Sequence, residues 1–587
     1  MGLGMTAPDP FFISLPGCEE GKMKTFGKIV LVLIGVLLVI QVVVIAALVA
    51  SNRVPSQSVL ALSLSGDIPE QPPQGPFSQL LSGRALTVTE ISEALDRART
   101  DSHIVGVELR IGDTSMNMGK IQEIRDALEE FNRSGKFTVA YLEYATNSSY
   151  YLASACQTVF LLPKSEVDVH GWMASTTFLR GTFDKLGIYP DFYHIGEYKN
   201  ATNVYTETKY TAAHREANEE LLKDWYGQFL NGIAAGRRMK AAEVKAAVEK
   251  GPLSSELALS AKLVDGVAYS DESRDFVKRK AKGSEERLSA REYLRRRPSG
   301  GRSKLAVIYA TGVIVPGSSG TDPLGERVMG SDTIAEQFRT AREDDSVKAV
   351  VLRVDSPGGS AFSSEVIRRE VELTGRAKPV VVSMSDVAAS GGYWISMSAA
   401  RIVAEPGTVT GSIGVLTGKF NLQGLYNKLG LTKDLITLSD NATIDYPFQN
   451  FTSGQRESIL RTMRETYQNF ILGVAAGRHM KVADADRVGQ GHIWSGARAL
   501  QLGLVDELGG LDTAVAAAKG LAHIPRAESV ELIFLPRPKS LFEMLSELSK
   551  GAEASSPQLS IGEWLAKLRA LVRVEVWALE PAVPQIE

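Results

Sequence analysis

Tyr150-Tyr151-Leu152-Ala153-Ser154-Ala155 recurs in pattern as Tyr393-Trp394-Ile395-Ser396-Met397-Ser398, displaced by 243 positions (150 to 393). At the same displacement Leu109-Arg110 meets Leu352-Arg353, and Lys185-Leu186-Gly187 meets Lys428-Leu429-Gly430. After a slip of two residues, Ala234-Ala235-Gly236-Arg237 meets Ala475-Ala476-Gly477-Arg478, and Leu263-Val264-Asp265 meets Leu504-Val505-Asp506. Matches in one order with one small gap mark a tandem duplication, and a period this long excludes a solenoid of short repeats. The halves run from about residue 58 to 298 and from 301 to 523. Between them Ala281 to Arg302, rich in Lys, Arg, Ser and Gly, reads as a linker or exposed helix.

Within the second half, Lys304 to Ile308, Ala349 to Val354 and Pro379 to Ser383 are short apolar runs, and Ser364 to Thr374 has helical spacing with charges on one face. Continuous apolar strands alternating with helices predict an α/β fold with a mostly parallel, helix-covered sheet, built twice. Residues 524–587 differ. Leu541, Met544, Leu545 and Leu548, then Ile561, Trp564, Leu565, Leu568 and Leu571, form two amphipathic stripes, which predict a helical C-terminal tail.

Ahead of the repeats, residues 29–50 are apolar except for Gln41 and Gly35. About 20 such residues cross a hydrocarbon core of about 30 Å. Lys22, Lys24 and Lys28 precede the segment and only Arg53 follows closely, so residues 1–28 are expected in the cytoplasm and the repeats outside it. A cleaved signal peptide ending near Ala50 is the rival reading, but its apolar core would be shorter. Charged residues make up 23% of the 587 and the net charge is −3, so nothing points to nucleic acid as a partner. Two cysteines, Cys18 and Cys156, are too few for a disulfide framework.

Two glycine-containing turns follow buried strands in the second half. In Asp355-Ser356-Pro357-Gly358-Gly359, paired glycines let the backbone approach a ligand and aim N–H groups at an oxygen. In Ala388-Ala389-Ser390-Gly391-Gly392-Tyr393, a serine between small residues sits where a strand gives way to a helix. Its hydroxyl is then exposed beside unpaired helix N–H groups. Tight turns that merely need glycine are the plain alternative. The duplication weighs against it: Asn147 stands at the position of Ser390, and Ser115-Met116 at that of Gly358-Gly359. Turns needed for folding would be kept in both halves, although drift alone could also erase them from one.

A serine nucleophile needs a base. None of the seven histidines sits in a glycine turn or a paired-ligand setting; His479 and His492 fall in the helical region after the second sheet. No H-E-x-x-H or cysteine-ligand spacing supports a metal, and no G-x-x-x-x-G-K-[ST] supports ATP, so no cofactor is expected. A neutral lysine is another base for serine, provided burial lowers its ordinary pKa of about 10.4. Composition and spacing do not single one out.

The chain resembles bacterial signal peptide peptidase A in its double-length form, from about Ile29 to His523. The resemblance is carried by the two turns above, with Trp394, and by Thr410-Gly411-Ser412-Ile413-Gly414-Val415. It implies tandem Clp-protease/crotonase-like α/β domains with an N-terminal transmembrane helix. It also implies Ser390 as nucleophile, Lys199 in Gly196-Glu197-Tyr198-Lys199 as base, Ser412 hydrogen-bonded to that lysine, and the N–H groups of Gly359 and Gly391 as oxyanion hole. Shorter relatives carry serine and lysine on one repeat. Here Lys199 follows Asn147 by 52 residues (147 to 199), while the matching second-half stretch, Ser439-Asp440-Asn441-Ala442, has no lysine. Each repeat thus keeps one member of the pair. The family continues K-S-A-x-E-P where this chain has Asn200-Ala201-Thr202-Asn203-Val204, so Lys419, Lys428 and Lys433 are the other candidate bases.

As activity, the resemblance implies a membrane-bound serine endopeptidase that degrades cleaved signal peptides and other apolar extended peptides. It would sit in the bacterial inner membrane with a periplasmic catalytic part. A ring-like homotetramer is implied, with sites where repeats of neighbouring subunits meet. Two other classes fit part of the pattern: a crotonase-like acyl-CoA enzyme, its glycine N–H groups holding a thioester oxyanion, and a non-catalytic membrane scaffold.

Overall fold

The two halves build parallel sheets with the same strand order. The computed structural model describes residues 53–71, 85–114, 116–297, 300–322 and 327–536, the backbone of Trp577–Leu579, and Gln41. The apolar segment 29–50, Gln41 apart, and the two helical stripes of the tail lie outside the described residues. Among those described, no helix is long and apolar enough to cross a membrane. Residues Ser56–Glu587 form one compact unit containing both halves, separate from Met1–Pro55.

In the first repeat the sheet runs Gly266–Val267, Thr158–Leu161, Phe137–Leu142, Ile104–Thr114, Ser58–Gly66, Arg287–Ser289, every neighbour parallel. In the second it runs Glu507–Leu508, Arg401–Ala404, Val380–Ala389, Val347–Ser356, Ser303–Thr311, Val530–Leu535, again all parallel. The second sheet adds Val409–Gly411, parallel to the far end of Val380–Ala389, and Ile493–Ser495 outside it, antiparallel. Leu305, Val307, Val351 and Val381 fill one face and Ile308, Val350, Leu352 and Val382 the other. That two-sided burial is why these strands read as unbroken apolar runs.

Two expectations change. Of the two readings of Ala281 to Arg302, linker or exposed helix, the structure has a helix, Ala290–Arg296, capped by Ser289 but with Tyr293 buried, and ahead of it the edge strand Arg287–Ser289. Lys- and Arg-rich composition misled because one buried face of a single turn suffices to dock a short helix. Likewise Val530–Leu535, placed in a helical tail, is the second repeat's equivalent edge strand, so that repeat runs past His523.

The repeats meet across a buried ionic seam. Arg353 is fully buried. Its Nε and Nη2 donate to the two carboxylate oxygens of Glu70 at 2.8 and 3.0 Å, Nη2 also to Glu123 at 2.6 Å, and Nη1 to Ser383 at 2.8 Å. Burial alone would push Glu70 up, but the bidentate guanidinium holds it below the usual carboxylate range.

Glu405 is also fully buried, and neither carboxylate oxygen has a hydrogen-bond partner among the described residues. Burial, with Asp126 and Glu123 nearby, raises it well above the ordinary range. In the unfolded chain it would ionise near 4.5, so only the unfolded state gains as pH rises above that value. Stability contributed below that pH is therefore lost on going up. Urea unfolding of Glu405→Gln between pH 5 and 8 should show a smaller loss than wild type; an identical pH slope would contradict the neutral carboxyl.

A third sheet joins the repeats: Gly320–Thr321, Arg327–Gly330, Val313–Val315, Gly358–Ser360, Trp577–Leu579, Val415–Asn421, Tyr189–Ile195. The last strand belongs to the first repeat and lies antiparallel on the second, Ile195 opposite Val415 and Tyr189 opposite Asn421.

Candidate active site

Ser390 ends the strand Val380–Ala389 and caps the helix Gly391–Ser396 with φ 56° and ψ −112°. A serine with positive φ outside the left-handed helical well is strained, and surrounding bonds must hold it. Its N–H donates to Gly411 O at 2.8 Å, and its own carbonyl accepts from Trp394 N at 2.8 Å. Gly392 allows the turn to close, since a Cβ there would lie 2.6 Å from Ser356 O. Gly391 occupies the first helical position, where an N–H has no intrahelical acceptor. In the first repeat the corresponding helix Asn147–Ala153 starts with an ordinary cap, Thr146, whose hydroxyl accepts from Ser149 N. Asn147 lies inside that helix, not at a strained elbow.

Gly359 sits on Gly358–Ser360 beside Ile314, and a Cβ on it would lie 2.1 Å from Ile314 O. Antiparallel to this strand runs Trp577–Leu579, with Gly359 opposite Ala578; Trp577 also pairs with Leu416 on the other side. A segment of the chain's own tail thus fills a strand-wide slot between Gly358–Ser360 and Val415–Asn421.

Lys199 arrives from the first repeat. Strand Tyr189–Ile195 is fastened to Val415–Asn421, and Gly196, with φ 110°, turns the chain toward Ser412. Tyr198 N donates to Gln490 O at 2.7 Å. Gly491 N donates to Ile413 O at 2.8 Å, and Ser412 N to His492 O at 2.7 Å. Gln490 to His492 therefore splints the lysine segment to the Ser412 segment. A Cβ on Gly491 would lie 2.5 Å from Lys199 N and 2.6 Å from its Cα. After Lys199 the departing sequence Asn200–Thr202 forms a short 3-10 turn leading into Asn203–Thr206, with Asn203 Nδ2 donating to Asn200 Oδ1 at 3.2 Å.

The Lys199 side chain is 0% exposed. Its Nζ lies 2.8 Å from Ser390 Oγ and 2.7 Å from Ser412 Oγ, and donates to Ser412 O at 3.0 Å. A neutral amine has two N–H donors and one lone pair. Uncharged, the amine has donors for Ser412 Oγ and O and a lone pair for the Ser390 hydroxyl; charged, it donates to all three oxygens. Both residues come from one chain, and the pairing of Tyr189–Ile195 with Val415–Asn421 makes the contact between its two repeats. The other lysines lie elsewhere. Lys419 Nζ donates to the carbonyls of Thr443 and Ile444, Lys428 Nζ to Lys185 O, and Lys433 Nζ sits over the Phe448 ring. No histidine hydrogen-bonds Ser390 among the described residues; His492 is stacked on Trp494 with its Nδ1 2.7 Å from Ile493 O.

Sequence reasoning passed over Gln490 and Gly491, whose only signal is the short run Gly489-Gln490-Gly491. It also passed over Lys120 of the first repeat, which reaches Asp355 at 3.2 Å and Asp386 at 3.4 Å, on the two strands that lead into the glycine turns. Nothing in the neighbourhood of Lys120 marks it.

The profile of peptidase family S49 matches this chain twice, over residues 130–284 and 372–525. A chloroplastic serine protease, SPPA of Arabidopsis thaliana, is 35% identical over 509 residues, covering 84% of this chain and 74% of that protein. Protease 4 of Salmonella typhi is 32% identical over 500 residues, covering 81% and 80%. Among solved structures, the 1510-N membrane-bound stomatin-specific protease shares 17% identity with a TM-score of 0.26, over 43% of this chain and 99% of that one.

Proposed function

The chain belongs to peptidase family S49 and is a serine protease, and on that premise we propose that Ser390 is its nucleophile and Lys199 its general base. The observation that carries this reading is the 2.8 Å contact between the lysine amine and the serine hydroxyl, in a site closed to water. An amine shut away from water keeps its proton less readily, the condition a lysine base requires. Neutral Lys199 accepts the Ser390 proton as Oγ attacks a peptide carbonyl. The N–H groups of Gly359 and Gly391 stabilise the oxyanion, each worth about 3–4 kcal/mol. The lysine ammonium then protonates the leaving amine, and water, deprotonated by the regenerated amine, cleaves the acyl-enzyme. Ser412 holds the amine in register throughout.

Substrates on this reading are cleaved signal peptides and other apolar peptides, bound extended as a strand in the slot that Trp577–Leu579 fills. The enzyme is anchored in the bacterial inner membrane by residues 29–50 with its catalytic part periplasmic, as a ring-like homotetramer of Clp-protease/crotonase-like repeats. Hydrolysis needs no nucleotide. Two measurements test the reading on the full chain: cleavage of a synthetic signal peptide without ATP, and mass-spectrometric location of a fluorophosphonate adduct. Cleavage with the adduct on Ser390 is expected; an adduct confined to another residue would remove Ser390 as nucleophile.

The splint makes its own prediction. Gly491→Ala forces a Cβ into the Lys199 backbone, whereas a Cβ on Gly454 meets nothing within 4 Å. Displacing a catalytic group by about 1 Å costs roughly 10²-fold. Turnover by Gly491→Ala should fall by that order with KM little changed, while Gly454→Ala stays at the wild-type rate. Equal rates for the two variants would contradict the splint.

A further inference from the structure

Lys199 is not the only lysine that the first repeat sends into the second. Lys120, buried in the first turn of the helix Met118–Arg133, places its Nζ 3.2 Å from Asp355 Oδ2 and 3.4 Å from Asp386 Oδ2. Its backbone N–H donates to Asp386 Oδ1 at 2.8 Å. Asn117, at the helix N-cap, makes no side-chain cap bond, so a carboxylate of the other repeat caps this helix. The docking is close: a Cβ on Gly119 would lie 2.7 Å from Ser385 O. Burial alone would lower Lys120, but Asp355, Asp386 and Glu70 outweigh it and hold the ammonium above the ordinary lysine range. Burial also lifts Asp386, to about 7, against the pull of that ammonium.

The two carboxylates stand at an irregularity in the second sheet. Val354 pairs with Met384 but Ser356 with Ala388, so Val380–Ala389 advances four residues where Val347–Ser356 advances two. Such a bulge bends its strand and re-aims the residues beyond it. Beyond it here lie Ser390 on one side and Gly358 and Gly359 on the other. Asp355 spans the bulge, its Oδ1 accepting from Val387 N at 3.2 Å, and Thr408 Oγ1 donates to Ser385 O at 2.7 Å. In the first repeat the pairing of Ile104–Thr114 with Phe137–Leu142 runs without a shift. Displaced by 243 positions, Asp355 corresponds to Gly112, Asp386 to the exposed Glu143, and Lys120 to Ser363. Bulge, paired carboxylates and lysine thus come together only over the half that carries the serine. We propose that Lys120 is a positioning residue for hydrolysis: it ties Asp355 to Asp386 and so fixes the oxyanion-hole turn at Gly359 relative to the nucleophile elbow at Ser390. That role presupposes Ser390 as nucleophile and the Gly359 N–H as an oxyanion donor. With the ammonium gone, two neighbouring carboxyl groups must part or share a proton, and either rearrangement moves the bulge from which Ser390 projects.

Two quantities measured on the full chain test the role: steady-state hydrolysis of a synthetic signal peptide, and the affinity of a trileucine aldehyde. The aldehyde carbon bonds reversibly to the nucleophile's oxygen, and its carbonyl oxygen then lies where an oxyanion forms. Aldehyde affinity therefore reports how nucleophile and oxyanion hole are aligned. Lys120→Met should lower kcat about 10²-fold, the cost of misplacing a catalytic group by about 1 Å, with KM little changed. It should weaken the aldehyde by a similar factor. Urea unfolding of the same variant separates this loss from a loss of folded protein. Lys120→Gln, one bond shorter at its nitrogen but still a donor, serves if Lys120→Met does not fold, and should show both losses in smaller degree. Wild-type kcat in a folded variant, or a fallen kcat with unchanged aldehyde affinity, would overturn the role of Lys120 and leave Ser390 in place. Ser390→Ala checks the premise by itself: it should abolish tight aldehyde binding, and undiminished binding would remove the nucleophile and the positioning role together.

Discussion

Ser390→Ala and Lys199→Met should each lower peptide hydrolysis by about 10⁴-fold or more, roughly 5 kcal/mol of transition-state stabilisation, with folding and assembly retained. Removing the hydroxyl removes the attacking atom. Methionine fills the fully buried lysine site with a side chain of similar length but no lone pair on nitrogen, so loss of rate cannot be ascribed to a cavity. Lys199→Arg should be as inactive, since guanidinium stays protonated. Only the neutral amine accepts a proton, so wild-type hydrolysis should climb with pH along an acid limb, and the residual rate of Lys199→Met should lack that limb. Because the two residues act as one unit, the double variant should be little worse than either single one. Full activity of Lys199→Met would sink the dyad while leaving family membership untouched.

The second large effect is on stability. Arg353→Met strips a fully buried guanidinium from Glu70 and Glu123, stranding two carboxylates where water cannot reach them. Breaking such a group from one side costs about 3–5 kcal/mol. Urea unfolding should register that loss, and Glu70→Gln with Glu123→Gln placed on the Arg353→Met background should recover part of it by removing the orphaned charges. A loss below about 1 kcal/mol would mean that the seam is replaceable packing. Arg353 lies in Val347–Ser356, which leads into the Gly358–Ser360 strand, so activity should also fall as the repeats loosen.

Much of this was legible in order along the chain. The duplication, the strand–helix alternation and the two glycine turns are local or periodic, and periodic burial writes itself into residue type. The elbow at Ser390 was readable for the same reason: strain of that kind needs small neighbours, and Ala388, Ala389, Gly391 and Gly392 supply them. Edges were not readable. Arg287–Ser289 and Val530–Leu535 looked like linker and tail because edge strands bury less and carry a weaker pattern.

By itself, then, the order of residues determined two copies of one α/β domain, a serine at a strand-to-helix turn in the second, and asparagine in its place in the first. Tertiary structure decided which amine meets the hydroxyl. Lys199 and Ser390 are 191 positions apart, and what joins them is the antiparallel pairing of Tyr189–Ile195 with Val415–Asn421 and the splint at Gln490 to His492. Contacts between repeats obey no period in the chain, because they depend on how two finished surfaces dock, and so they leave no spacing for a reader of sequence to find.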